Sequence, residues 1–114
     1  MKEYYNESGQ LHKIDGPAVE FPSGTTVWYQ NGKLHRVGGP AFVHHDGTTG
    51  WFQTGACHRL DGPAYENPMS GLNEWYINDR NITMEVEPWL KEQGFTWPLD
   101  EQAQSLFILR FLAQ

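Results

Sequence analysis

The sequence predicts a mainly β fold of the α+β class: an antiparallel meander sheet of about three 23-residue hairpin repeats, followed by two C-terminal helices. Three observations predict it. Segments beginning at Gly9, Gly32 and Gly55 align as "GQLHKIDGPAVEFPSGTTVWYQN", "GKLHRVGGPAFVHHDGTTGWFQT" and "GACHRLDGPAYENPMSGLNEWYIN", with their first glycines 23 residues apart. Within each copy, short Thr-, Val- and aromatic-rich runs alternate with Gly, Asn and Asp, the pattern of strands and turns. After Ile82 the repetition stops and helix signals begin.

A partial copy, "EYYNESG", precedes the first full one. In each full copy Pro-Ala leads into a first strand, "VEF", "FVH" or "YEN", which turns at Gly24, Gly47 or Gly71. A single second strand then runs through "TTVWYQ", "TTGWFQ" or "LNEWYI" to a turn at Asn31-Gly32, Thr54-Gly55 or Asn78-Asp79. Strand side chains alternate between faces. Trp28, Trp51 and Trp75 are therefore expected to form a ladder on one face, and Tyr29, Phe52 and Tyr76 a ladder on the other. Val19, Phe42 and Tyr65 add a further row from the first strands. Neither face is polar, so one must be covered, and the C-terminal segment is the expected cover of the Trp face. Tyr29, Phe52 and Tyr76, with Glu74 beside them, are then the expected partner-binding strip. In that segment the signals place one helix over about 86–93, with Thr83 as a candidate N-cap, Pro88 in the first turn and Gly94 as the stop. A second helix is expected over 99–113, acidic early and with Arg110 late, as the helix dipole favours. Its apolar run, 106–112, is expected to be buried on most sides. The length of 114 residues suits one domain, divided into the repeat sheet (1–82) and the helical segment (83–114).

The stretch "HRLDGPA" resembles a small active site, but it recurs as "HKIDGPA" and "HRVGGPA". Chemistry is seldom needed three times in one domain, whereas a corner is needed once per repeat. Equivalent positions two strands apart are separated by roughly 9.5 Å. Zinc ligands must come within about 2.3 Å of the metal, so His12, His35 and His58 cannot share one ion. Adjacent strand residues face opposite ways, which separates His44 from His45 as well. Cys57 stands where the other copies have Leu11 and Leu34, the place of a small buried hydrophobe. No catalytic, metal-binding or cofactor-binding residue is expected. An enzymatic alternative would have to assemble His44, His45, Asp46 and Cys57, the non-repeated candidates.

A formal charge of -6, with eight Lys and Arg against fourteen acids, argues against direct nucleic-acid binding. DNA mimicry would need a dense acidic stripe, and here the acids are dispersed. A single cysteine and the lack of a long apolar run lead to the expectation of a cytoplasmic protein without a membrane partner. The open sheet edges leave a homodimer as an alternative.

The recurring phrase, "WYQNGKLHRVGGPA" in the first junction, resembles that of small accessory proteins of tailed bacteriophages built from MORN-like hairpin repeats. The resemblance covers residues 4 to about 82; Gly38 for Asp, Lys13 for Arg and Thr54 for Asn depart from it. It implies a dispensable, host-directed accessory protein acting in the host cytoplasm. It carries no catalytic residues. The acidity, the aromatic excess, the repeat-built surface and the lack of a unique polar cluster lead to the expectation of an interaction module that binds and inhibits or redirects a host protein, as in counter-defence. The acidic balance adds the expectation that the partner's surface is basic.

Overall fold

In each copy the chain reverses at a glycine held in the left-handed region, with φ of 96° at Gly24 and Gly47 and 75° at Gly71. The hairpins around these turns supply most of the sheet. In chain order the strands are β1 (Lys2–Glu3), β2 (Val19–Glu20), β3 (Thr26–Val27), β4 (Tyr29–Gln30) and β5 (Lys33–Leu34). Next come β6 (Phe42–Val43), β7 (Thr49–Gly50), β8 (Phe52–Gln53) and β9 (Ala56–Cys57). The last are β10 (Tyr65–Asn67), β11 (Leu72–Glu74), β12 (Tyr76–Ile77) and β13 (Arg80–Asn81). Helices α1 (Thr83–Gln93) and α2 (Glu101–Phe111) follow. The structure, a computed structural model, describes residues 1–112; Ala113, the expected end of the second helix, and Gln114 lie outside the described residues. The fold is thus mainly β, with antiparallel strands in several sheets ahead of two C-terminal helices.

The principal sheet has seven strands in the order β1-β2-β3-β6-β7-β10-β11. One row of paired residues crosses it: Glu3, Val19, Val27, Phe42, Gly50, Tyr65 and Glu74. The remaining strands form three two-stranded ladders, β4-β5, β8-β9 and β12-β13. They arise because the expected single second strand is interrupted at each Trp. The Trp28 N–H donates to the Ala41 carbonyl at 2.6 Å, while its own carbonyl accepts from the His35 N–H at 3.1 Å. Residues 36–40 are therefore looped out between two partners of one residue. Trp51 does the same with Ala64 and His58, and Tyr4 with Ala18 and His12.

A cation fills each looped-out corner. The Arg36 guanidinium carbon lies 3.9 Å from the centre of the Trp28 ring, and that of Arg59 lies 3.9 Å from Trp51. Lys13 places its Nζ 4.0 Å from the Tyr4 ring. The corner glycine is required by this packing: a Cβ at Gly39 or Gly62 would stand 2.8 or 2.7 Å from the guanidinium carbon. Arg36 and Arg59 each donate from Nη1 to the carbonyl of Pro40 or Pro63, at 3.1 Å. Arg59 also donates from Nε to Asp61 Oδ1 at 2.7 Å. Arg36 has Gly38, at φ 83°, in the place of that carboxylate.

The fourth corner is replaced by a helix. Ile82 N–H donates to the Trp75 carbonyl, as His35 and His58 do to their Trp, but Trp75 N–H donates to the Thr83 hydroxyl. Asn81 Oδ1 accepts from both the N–H and the hydroxyl of Thr83. These bonds start α1 at Thr83, earlier than the expected 86, and leave Pro88 inside the helix. Gly94, at φ 72°, ends it with its N–H on the Leu90 carbonyl. Asp100 caps α2 by accepting from the Ala103 N–H at 2.8 Å, so the helix begins at 101 rather than 99.

The helices cover Trp75 and leave the other two ladder tryptophans to their arginines. Trp75 is 1% exposed and packs in one cluster with Ile77, Ile82, Val86, Leu90, Phe107 and Phe111. Trp28 and Trp51 are half-buried, which corrects the expectation that all three lie beneath helices. The apolar run of α2 is also less buried than its composition suggests. Ala103, Phe107 and Phe111 face the core, whereas Leu106 and Leu109 are exposed.

Two stability measurements check this packing. Phe107→Ala is expected to cost about 3–5 kcal/mol in urea unfolding, and Leu109→Ala less than about 0.5 kcal/mol. Gly39→Ala must displace Arg36 from Trp28 and is expected to cost about 1–2 kcal/mol. In an Arg36→Ala background the same change is expected to be nearly silent.

Candidate functional site

The corner histidines are occupied by the backbone of the next turn. His12 Nδ1 accepts from the Asn31 N–H at 3.0 Å, His35 Nδ1 from Thr54 at 2.9 Å, and His58 Nδ1 from Asn78 at 3.1 Å. All three donors sit at positive φ, between 48° and 51°, so each ring steadies a strained turn in the following ladder. An acceptor Nδ1 requires the neutral ring with its proton on Nε2.

Strand alternation continues through the Trp interruptions. Val27 and Tyr29 open on the same hollow, while Trp28, between them, carries Arg36 on the other side. The hollow has a volume of about 410 Å³. Val27, Tyr29, Leu34 and Phe42 form its apolar part, Phe21 stands at one side, and Ser23, Thr25, His44 and His45 supply its polar side. A second hollow of about 250 Å³ shares Phe21, Val27 and Tyr29 and extends the groove to Val19, Leu11, Glu3 and Met1. The groove thus runs over the first two copies, on the face opposite the cation stacks.

The four residues expected to bind a partner occupy three separate ladders or their margins. Tyr29 (β4) is in the groove wall. Phe52 (β8) lies on Gly50, where a Cβ would meet its ring at 2.9 Å. Tyr76 (β12) is at the helix-bearing end, with its hydroxyl 3.4 Å from Asn81 Nδ2. Glu74 accepts from that same Asn81 Nδ2 at 2.7 Å. The ladders are joined by backbone bonds from Lys13 to Tyr29, Arg36 to Phe52 and Arg59 to Tyr76, so the three rings come one per ladder along the sheet. All three are half-buried.

His44 and His45 depart from the expected opposition of neighbours. Their ring centres are 4.1 Å apart, and both rings line the groove. β6 ends at Val43, and the His44 N–H and carbonyl already bond across the turn to Thr48 and Gly47, so strand alternation no longer applies. His44 Nδ1 is 2.9 Å from Asp46 Oδ1. The Thr48 N–H and hydroxyl, with a smaller contribution from His44, hold the exposed Asp46 carboxyl down at about 2. His45 Nδ1 lies 3.3 Å from the buried Thr25 hydroxyl. Cys57, the remaining member of the enzymatic alternative, sits apart on β9, opposite Phe52. Burial, reinforced by Asp79 and Glu74, pushes its thiol up to about 12, far from a reactive thiolate at neutral pH. Among the described residues, no group of three or more His, Cys, Asp and Glu is placed to hold a metal ion.

Sequence reasoning missed the groove itself. The first-strand row of Val19 and Phe42 was legible from the repeat, but Phe21, whose aligned counterparts are His44 and Asn67, carries no repeat signal, and strand alternation alone does not say where a sheet is concave. Among the described residues no helix is long and apolar enough to cross a membrane. The chain matches no protein-family model, no curated protein and no solved structure.

The histidine geometry has a pH consequence. Burial lowers the pKa of His58 below its ordinary value. A lowered folded-state pKa makes its contribution to stability fully present above the unfolded value, about 6.5, and lost as pH falls through the folded one. Urea midpoints are therefore expected to drop on acidification below about pH 6.5. His58→Leu is expected to lower the midpoint at pH 7.5 and to reduce the slope of that acid decline.

Proposed function

We propose that this chain is a non-enzymatic protein-interaction module that uses the open face of its repeat sheet to bind, and so inhibit or redirect, a protein of a bacterial host. The observation that carries this reading is the apolar groove over Val27 and Tyr29, on the face opposite the stacked cations. Contiguous apolar surface of this kind on a small protein is a common mark of an interaction site. Aromatic residues such as Tyr29 and Phe52 are suited to anchor such contacts, because they bury a large area while ordering few torsions.

The corner histidines and arginines support the non-enzymatic part of the reading, since their hydrogen-bonding and stacking capacity is engaged by the fold. The resemblance of the repeats to phage accessory proteins is the reason for placing the partner in a host cell. The acidic balance, -6, favours a partner with a basic surface.

Immobilised protein, exposed to bacterial lysate and washed, is expected to retain a specific host protein identifiable by mass spectrometry. The double variant Tyr29→Ser with Phe52→Ser is expected to keep a cooperative melt and lose that protein. Equal retention by a folded double variant, or no specific retention by the unaltered chain, would contradict the proposal.

A further inference from the structure

We infer that the groove over Val27 and Tyr29 is the anchor point of the interface, and that it takes a partner segment carrying an apolar side chain between two basic ones. This deepens the interaction-module reading and rests on it. The central part of the groove, formed by Val19, Val27, Tyr29, Leu34 and Phe42, carries no charge. A carboxylate stands at each end. Glu3, which accepts from the Tyr5 hydroxyl, lines the end on β1, and Asp46, which accepts from the Thr48 N–H, stands beside His44 in the turn next to the other.

The spacing of the two carboxylates selects a shape as well as a charge. The strand order β1-β2-β3-β6 puts three strand spacings between Glu3 and the strand that leads to Asp46. At about 4.8 Å each, this is about 14 Å across the sheet, and Asp46, in the turn three residues beyond the end of β6, lies farther along the strands as well. An extended chain advances about 3.3 Å per residue, so side chains four positions apart are separated by about 13 Å and lie on one face. A segment of the form Lys-x-Phe-x-Lys, lying obliquely across the strands, brings a ring to the apolar centre and a cation toward each carboxylate, the length of the lysine side chains covering the offset of Asp46 along the strands. A single aromatic side chain fits comfortably within about 410 Å³. Overall acidity favours approach of the same segment and disfavours an acidic one.

The test uses the full-length chain, labelled with nitrogen-15, and the peptide acetyl-Lys-Thr-Phe-Thr-Lys-amide. Titration is expected to shift the amide resonances of Val27, Tyr29, Phe42 and His44. Acetyl-Glu-Thr-Phe-Thr-Glu-amide is expected to bind at least about tenfold more weakly, as is the Lys peptide with Ser in place of Phe. The variant Glu3→Gln with Asp46→Asn keeps acceptor oxygens at both positions. It is expected to keep a cooperative melt while losing about tenfold in affinity for the Lys peptide. Equal binding of the Lys and Glu peptides would overturn the proposal. So would shifts confined to the Phe52–Tyr76 end, or no shifts at millimolar peptide. Concentration-dependent shifts of the groove amides without peptide would assign the groove to a second copy of the chain, and also overturn it. If host-protein capture survives such a failure, the interaction reading stands and its anchor lies elsewhere; loss of capture as well removes both.

Discussion

An arginine lying flat between a tryptophan ring and a glycine is what allows one hairpin to hand the sheet on to the next. The looped-out corner leaves a Trp backbone bonded to two separated residues, and without a filler the exposed ring would lie against an empty bend. The guanidinium fills it: its face meets the ring, and its edge donates to the proline carbonyl of the same corner. Several sequence features become one requirement. The cation must be there, the glycine must lack a Cβ, and the Trp must present its face. The histidine one position earlier then fixes the following turn. This explains why "HRxDGPA" imitates an active site, because its polar groups converge to hold a joint.

The joint also explains how the sheet exists with so little core. Through the first two copies the buried apolar residues are small, Ala18, Val19, Val27 and Ala41. Stability in such an array comes largely from neighbour-to-neighbour terms, and its ends need closing. At the N-terminal side the stack of Lys13 on Tyr4 fills a corner of the same kind. At the C-terminal end the large apolar side chains gather around Trp75, with Phe107 5.4 Å away and Trp97 against its edge at 6.0 Å. Ile82 and Thr83 occupy the places that His58 and Arg59 hold in the preceding copy, so the helices take over the covering task of the cation. Covering the Trp side in these two ways leaves the opposite side free, and that is the side on which the groove lies.

Much of the architecture was legible in the sequence because it repeats. The 23-residue spacing, the turning glycines and the change of pattern after Ile82 follow from local rules, and the structure has hairpins and helices in those places. What was not legible depends on nonlocal bonds. Nothing in "TTVWYQ" announces that Trp28 will break its ladder, since the break is made by Ala41 and His35. The start of α1 depended on Asn81 and Thr83 acting together, and Pro88 drew the expected start too far along. The proximity of His44 and His45 followed from the strand ending one residue earlier than the alternation assumed. Of the groove, Tyr29 could be named from alternation, while Phe52 and Tyr76, expected beside it, lie outside its lining. The concavity beside Tyr29 could not, because it reflects how neighbouring copies curve and pack.

The central claim is that cation and ring act as one unit at every corner, and a double-mutant cycle on Trp51 and Arg59 tests it most directly. Trp51→Leu, Arg59→Met and the pair would be compared with the unaltered chain by urea unfolding at pH 7.5. Residues stabilised through one another show a coupling energy, here expected to be about 1–2 kcal/mol in favour of the intact pair. Single effects that add to within about 0.3 kcal/mol would show that the two side chains contribute independently, and would contradict the account.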